Sequence, residues 1–423
     1  MMKNKKTMID FIGDIHGHAD ALEALLKKMG YAKKNKIYSH PERKVLFVGD
    51  YIDRGPKIRK TLKIVKRMVE SENAIALMGN HEYNAICFHY QETEGGHLRK
   101  HSIKNILQHY KTLKEFKNKQ EEYDGYIDWF KTLPLFYETE HFRAVHASWI
   151  NNTINELKPH LQNATLTEKA ILDSVKNGTT FNNAIEDTLK GKEAPMPSGQ
   201  TFLDKDGFTR ENLRIKWWKD PSKSNYKELS MHPIASLPLT PIDLTKLSNT
   251  DYYAKNEKPV FFGHYWLNGK PAIQKNNVCC LDYSVAKNGK LVAYRFNNEK
   301  ILSNENLIYV LIQSFYQMYL NSKGRIILFS TYKSKNTRTN YMNPDKIVTE
   351  NMIENFSNVY ADEMHENNGV ADLMSVSPNV KTFIDFTDAT NLCKLQNCII
   401  IAATSSTDCG TSTSTLDYFK VQA

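Results

Sequence analysis

The chain has 423 residues, 41% of them hydrophobic and 24% charged, with 19 Gly and 14 Pro. At about 150 residues per domain this allows two to three domains and at least one large buried core, and it excludes a stapled minidomain and a disordered, fibrous or membrane-embedded chain. The 56 Lys and Arg against 47 Asp and Glu leave a net charge of +9, with the basic excess in the first 301 residues and a net acidic remainder; charge alone admits nucleic acid, phosphate esters or acidic lipid as the anionic partner.

Thr7 to Ile12 is a short β-rich run, and Asp20 to Met29 carries apolar residues at Ala21, Leu22, Ala24, Leu25, Leu26 and Met29, a helical stripe ending before Gly30. Lys44 to Val48 reads as a buried strand, Ile58 to Val69 as a helix and Asn73 to Met78 as a strand. Strand and helix in alternation is the pattern of α/β layers, and the turn after each strand is where functional groups of such sheets collect. From His81 to about Lys131 the pattern is helical and polar, followed by strands at Leu135 to Tyr137 and Phe142 to Val145. Residues 151–220 are weaker in pattern, with a loop at Pro195 to Gly199, and Val260 to Phe296 is β-rich with a hairpin turn at Asn288-Gly289. A boundary falls near residue 301. Beyond it Asn304 to Leu320 is expected as a helix and Arg325 to Thr331 and Cys398 to Ala403 as strands; Thr404 to Thr415 is rich in Ser and Thr, and no motif marks a role for residues 302–423.

Six cysteines, with Cys279 and Cys280 adjacent and no C-x-x-C, make neither a disulfide framework nor a zinc pattern. Met8 to Ile12 is too short for a signal sequence, and no run approaches the roughly 18 apolar residues of a membrane helix. A reducing, cytoplasmic location is the expectation.

Metal-ligating residue types stand at successive strand ends: Gly13-Asp14-Ile15-His16-Gly17, Gly49-Asp50-Tyr51-Ile52-Asp53-Arg54-Gly55, Gly79-Asn80-His81-Glu82, Val145-His146-Ala147 and Gly263-His264-Tyr265-Trp266. Asp and His one residue apart on an extended chain point the same way and can hold one cation. Carboxylate, imidazole and amide together suit borderline divalent ions such as Mn, Fe or Zn better than Ca. Each group alone reads as a turn or a surface ion pair; five in this order do not. Arg210, Arg214 and the Trp217-Trp218 pair could face such a site, against a solvent arginine and a core tryptophan. His97 and His101 have a spacing that can bind zinc on a helix but lack an associated third ligand. His18 would cap or pack beside the first loop.

These motifs resemble the calcineurin-like metallophosphoesterases, in particular their branch of phosphoprotein phosphatases and symmetrical dinucleoside-tetraphosphatases, over about residues 8 to 300: GDIHG, GDYIDRG and GNHE stand complete, followed by later histidines. The resemblance implies a two-sheet β-sandwich flanked by helices in residues 1–301, with a smaller C-terminal α/β segment at 302–423. It implies two divalent cations, Mn first with Fe or Zn as alternatives. Asp14 and His16 would hold one, Asn80, His146 and His264 the other, and Asp50 would bridge. Arg54 would grip the substrate phosphate, and His81, oriented by Asp53, would protonate the leaving oxygen after attack by a bridging hydroxide. The fourth motif reads VHAS where the protein phosphatases usually have HGG. The resemblance also implies a phosphorylated small molecule or a phosphoprotein as substrate. A competing reading is a nucleic-acid-binding or end-processing protein using the same core, although no aromatic-basic interleaving supports it.

Overall fold

A computed structural model of the chain describes residues 8–93, 95–197, 200–203, 209–231, 234, 237–247, 249–287 and 289–311, together with residues 316–320, 326–330, 399–402 and 419–422. It divides into two compact units, residues 1–312 and 313–423.

The first unit opens with β1 (Met8–Ile12), α1 (Ala19–Lys28), the antiparallel pair β2 (Ala32–Lys34) and β3 (Ile37–Ser39), β4 (Arg43–Phe47), α2 (Ile58–Glu70) and β5 (Ala74–Ala76). Three helices follow, α3 (Asn80–His89), α4 (Ile103–Phe116) and α5 (Gln120–Lys131), then β6 (Phe136–Glu138) and β7 (Arg143–Val145). The weakly patterned stretch contains α6 (Asn151–Leu157), β8 (Leu161–Gln162), β9 (Thr165–Leu166), α7 (Glu168–Ser174), α8 (Thr180–Lys190), β10 (Glu193–Pro195), β11 (Phe202–Leu203), β12 (Thr209–Arg210), β13 (Asn212–Arg214) and α9 (Tyr226–Leu229). The unit closes with β14 (Val260–Phe262), β15 (Val278–Cys280), β16 (Asp282–Tyr283), β17 (Lys290–Phe296) and β18 (Leu307–Leu311).

Two sheets form its centre. In one, β1, β4 and β5 run parallel and β17 joins antiparallel to β1, β16 and β18; in the other, β14 lies parallel to β15 and β7, and β6 is antiparallel to β7. Alternation along each strand splits its side chains between two cores. Phe11, Leu46 and Val48 join Phe142, Ala144, Phe261 and Cys279 between the sheets, whereas Ile12, Val45 and Phe47 face the helix-covered core with Leu22, Leu62 and Val65. The Phe11 and Phe261 rings stack with centroids 3.7 Å apart and join the two sheets. The expected two-sheet sandwich flanked by helices is thus the observed architecture.

The described residues of Asn304 to Leu320 do not form an α-helix. They hold a short 3₁₀ turn, then β18, which pairs with β17 from Leu307 to Leu311, and β19 (Tyr316–Leu320). A dense apolar run does not distinguish strand from helix by period, and here the open edge of β17 offers hydrogen-bond partners. Leu302 is buried in the inter-sheet core, so the first unit runs past the expected boundary at 301 to residue 312. In the second unit, β19 pairs antiparallel with β20 (Ile326–Ser330), and β21 (Ile399–Ala402) with β22 (Phe419–Gln422). Thr404 to Thr415 lies outside the described residues. Among those described, no helix is long and apolar enough to cross a membrane.

Candidate metal centre

Parallel pairing decides where the polar motifs emerge. Ile12 pairs with Phe47 and Phe47 with Ala76, so the loops carrying Asp14, Asp50 and Asn80 leave the same edge of the first sheet. Parallel β7 and β14 likewise send His146 and His264 from one edge of the second. Several of these residues sit in the left-handed backbone region: His16 at φ 44°, Asp50 at 57°, Asp53 at 67°, Arg54 at 56° and His264 at 73°. Such conformations cost on the order of 1–3 kcal/mol each and cluster where a site dictates backbone shape. Gly79 and Gly263 permit close approaches to two of these carboxylates, since a Cβ there would lie 2.2 Å from Asp50 Oδ1 and 1.9 Å from Asp14 Oδ1, respectively.

Buried Glu82 ties two of these loops together. Its Oε2 accepts the backbone N–H groups of Asp50 at 2.8 Å and Gly79 at 3.0 Å, and its Oε1 those of Tyr51 at 2.8 Å and Ile52 at 3.4 Å. Burial, with Asp50 nearby, pushes its pKa up to about 8.

Asp50 is the hub of the site. Ligand atoms of His16, Asp50 and His81 lie within 4.8 Å of one another, and so do those of Asp50, His146 and His264. Asn80 Oδ1 is 3.0 Å from His146 Nε2 and 2.7 Å from His264 Nδ1. Asp14 Oδ2 accepts the His264 backbone N–H at 3.0 Å. His16 Nδ1 is 3.0 Å from the Ile52 carbonyl and His146 Nδ1 is 2.8 Å from that of Val48. A carbonyl can only accept, so both imidazoles donate there and turn a lone pair on Nε2 toward Asp50, as metal-binding histidines do.

The electrostatics favour a cation in this space. Asp14 Oδ1 and His16 Nε2 are buried with no hydrogen-bond partner among the described residues. Burial, Asp282 and Asp50 push the Asp14 pKa well up, and burial pushes that of His16 well down. Burial also works against an ionised Asp50, but His146, His81 and His16 outweigh it and hold its pKa down. Crowded buried carboxylates beside lone-pair imidazoles are costly alone and favourable around a divalent ion. The residues therefore fit the two cations expected from the sequence.

Beside the cluster, Asp53 is gripped from two sides. His81 Nδ1 hydrogen-bonds its Oδ2, while its Oδ1 meets His109 Nδ1 at 2.8 Å and accepts from the Thr112 hydroxyl. His109 Nε2 in turn bonds the Tyr123 hydroxyl, and Thr112 Oγ1 accepts the Asp53 N–H at 3.0 Å. Burial opposes ionisation of Asp53, but His109 and His81 hold its pKa far down. Burial likewise opposes protonation of His81, but Asp50 and Asp53 outweigh it and raise its pKa. The Arg54 guanidinium lies over the Trp266 ring, 4.4 Å from its centroid, a stacking that orients the charge without neutralising it.

Asp14, His16, Asp50, Asp53, Arg54, Asn80, His81, His146 and His264, all nine residues expected at the site, thus converge on one edge of the sandwich. The weaker candidates do not join them. Arg210 is exposed, and Arg214 lies 3.7 Å from Glu193. Trp217 and Trp218 are buried against Phe262. His97 and His101 are not on a helix: their rings stack at 3.9 Å in the loop between α3 and α4. His18 takes the N-cap position of α1 without a side-chain cap bond. Sequence reasoning missed His109, Thr112, Tyr123 and Trp266. The i, i+3 spacing of His109 and Thr112 on one face of α4 was the available signal.

A sandwich holding acidic and imidazole ligands in loops at the carboxyl ends of its strands defines a class of metal-binding α/β proteins. The profile of the calcineurin-like phosphoesterase family matches residues 7–264, and the chain belongs to that family. The asymmetrical bis(5'-nucleosyl)-tetraphosphatase PrpE of Oceanobacillus iheyensis is 33% identical over 140 residues, 33% of this chain and 54% of that protein. The like-named protein of Geobacillus sp. (strain WCH70) is 47% identical over 74 residues, 17% of this chain and 30% of that protein. The chain thus spans about half or less of the length of these curated relatives. Among solved structures, a serine/threonine phosphatase of Saccharomyces cerevisiae with similarity to human phosphatase PP5 aligns over 74% of this chain and 82% of its own, at 13% identity and TM-score 0.39. A cold-active protein-tyrosine phosphatase of a Shewanella species aligns over 72% and 78%, at 16% identity and TM-score 0.36.

Proposed function

We propose that this chain is a metal-dependent phosphohydrolase that cleaves a phosphate ester or anhydride with water at a dinuclear centre. The observation that carries this reading is Asp50, shared by two groups of ligand atoms that each lie within 4.8 Å of one another. Asp14, His16 and Asp50 would hold one cation, and Asp50, Asn80, His146 and His264 would hold the other. When bound, the cations supply Lewis acidity toward water and the phosphoryl oxygens. Mn is the favoured metal, with Fe or Zn as alternatives.

The chain's own groups do the rest. Arg54, oriented by Trp266, receives the phosphoryl oxygens in a forked, charge-assisted contact. His81 also lies within ligand reach of His16 and Asp50, but its raised pKa favours a proton on the ring, which suits an acid better than a ligand. With Nδ1 bonded to Asp53, Nε2 is the atom that delivers the proton. Water adds to phosphorus and gives up one proton to solvent, the bond from phosphorus to the leaving oxygen breaks, and that oxygen takes the proton from His81, which is reprotonated from solvent. A cysteine nucleophile is not part of the scheme: Cys87, Cys279 and Cys280 are buried free thiols, and burial raises their pKa values. Free thiols also agree with a cytoplasmic location.

The names of the curated relatives support a dinucleoside polyphosphate as substrate, cleaved off centre, with a phosphoprotein as the other candidate. The test is a panel of a phosphopeptide, diadenosine tetraphosphate, ATP and a phosphodiester with added Mn, with products separated by chromatography. Unequal nucleotide fragments are expected from the tetraphosphate. Hydrolysis that persists undiminished after chelation, or no hydrolysis of any member with Mn present, would overturn the reading.

A further inference from the structure

Next to His81 lies a small, partly open depression lined by Asp53, His81, Asn84, Phe88, Arg99, Asn105, Gln108 and His109. The function proposed above uses only its inner end, where the Asp53 and His81 pair stands. Beyond Asp53 its walls come from α3, α4 and the loop between them, and past the GNHE motif that opens α3 this region carried no recognisable motif.

Arg99 is the one cation lining the pocket besides the histidines, and the fold takes trouble to aim it. Its Nη1 donates to Asn84 Oδ1 at 2.8 Å and its Nη2 to Gln108 Oε1 at 2.9 Å. Both partners are neutral amides, and Arg99 makes no ion pair among the described residues. The arginine is therefore held in place without losing its charge, unlike Arg59 and Arg143, whose guanidinium groups meet Glu122 and Glu257 at 2.6 Å. Its backbone is fastened as well. The Arg99 N–H donates to the Cys87 carbonyl at 2.9 Å, and that of Leu98 to the Tyr90 carbonyl at 3.2 Å. His101 Nε2 is 2.7 Å from the Phe88 carbonyl, and its ring is stacked between those of His97 and Phe88, at 3.9 and 3.8 Å. The histidine pair whose spacing suggested zinc thus serves as a clamp on the loop that carries Arg99.

We infer that the departing fragment of the substrate lies over this open depression and that Arg99, at its rim, binds a phosphate on that fragment. The inference rests on the phosphohydrolase reading: if His81 protonates the leaving oxygen, the group attached to that oxygen lies on His81's side of the site, where the pocket is. An amide-lined pocket with one oriented guanidinium suits a fragment bearing its own phosphate, such as a nucleoside mono-, di- or triphosphate. It does nothing for a neutral alcohol or phenol. Arg99 is thus a specificity residue for anhydrides over simple monoesters.

The test uses full-length, Mn-loaded protein and its Arg99→Gln and Arg99→Lys variants, with p-nitrophenyl phosphate and diadenosine tetraphosphate as substrates. The readout is the ratio of kcat/KM on the tetraphosphate to that on the monoester. In Arg99→Gln this ratio is expected to fall about ten- to hundredfold, the scale of one lost charge-assisted contact. Arg99→Lys, which keeps the charge and loses the fork, should fall in between. A ratio within twofold of wild type in a variant with unchanged melting temperature overturns the assignment. Wild-type protein that hydrolyses the monoester but not the tetraphosphate overturns it too, while leaving the phosphohydrolase reading intact. Wild-type protein inactive on both removes that reading, and this assignment with it.

Discussion

The two sides of Asp53 are built by different means. On one side, the loops leaving β1, β4 and β14 bend through left-handed backbone at His16, Asp50, Asp53, Arg54 and His264, and glycines let them and the turn after β5 nearly touch. On the other, His109 and Thr112 project from the regular helix α4 and Tyr123 from α5, with no unusual backbone. The strained side concentrates charge and lone pairs, while the helical side holds a carboxylate still. Around Asp53, strained backbone thus falls on the groups that must converge on a small volume, and positioning is left to ordinary secondary structure.

Substitutions on each side sharpen this contrast. Asp50→Asn should have the largest effect, lowering Mn-dependent hydrolysis at least about 1,000-fold, because an amide is a poor replacement for a carboxylate shared by two cations. Elemental analysis should show metal lost at the same time, and full activity would sink the dinuclear reading. His81→Ala should cost about 100- to 10,000-fold, the usual range for a general acid, yet retain most of the metal. If its metal content falls as far as that of Asp50→Asn, then His81 is a ligand. On the helical side, His109→Ala should lower kcat by about tenfold with KM nearly unchanged, since Asp53 keeps Thr112 and His81. A loss as large as that of His81→Ala would mean that the two sides are not separable.

The smallest effect is on stability. His89, on α3, has a buried Nε2 with no hydrogen-bond partner among the described residues. Burial and the nearby His109, His101 and His97 lower its pKa from the usual 6.5 to about 4, with Asp124 opposing. The unfolded chain therefore takes up a proton before the folded one as pH falls from 6.5 towards 4, and stability declines through that window. His89→Phe should flatten this part of the melting temperature profile, and curves parallel to wild type between pH 7 and 4 would count against it.

The strained side was legible in the sequence because tight approach leaves a local signature. Asp14 and His16, or Asp50 and Asp53, stand within a few residues of each other and are flanked by the glycines their geometry demands. The helical side was not, because His109 reaches Asp53 across 56 residues, and one polar residue on a helix face looks like any other. The stretch from Asn304 to Leu320 was misread for a related reason: pairing with β17 is a long-range fact that its dense apolar content did not reveal. His97 and His101 had a metal-like spacing and turned out to clamp a loop, because spacing is informative only once the secondary structure is known.

Glu82 carries a consequence beyond its hydrogen bonds. By receiving backbone N–H groups from both the Asp50 loop and the Gly79 turn, it welds two stretches of chain into a single rigid bracket beneath the site. The backbone at Asp50 and at Gly79, next to Asn80, is thereby held at a fixed separation, a mould that exists before anything binds in it. No folding event is then needed to bring the two loops together, and the amide protons of Asp50, Tyr51 and Gly79 should be among those slowest to exchange with solvent.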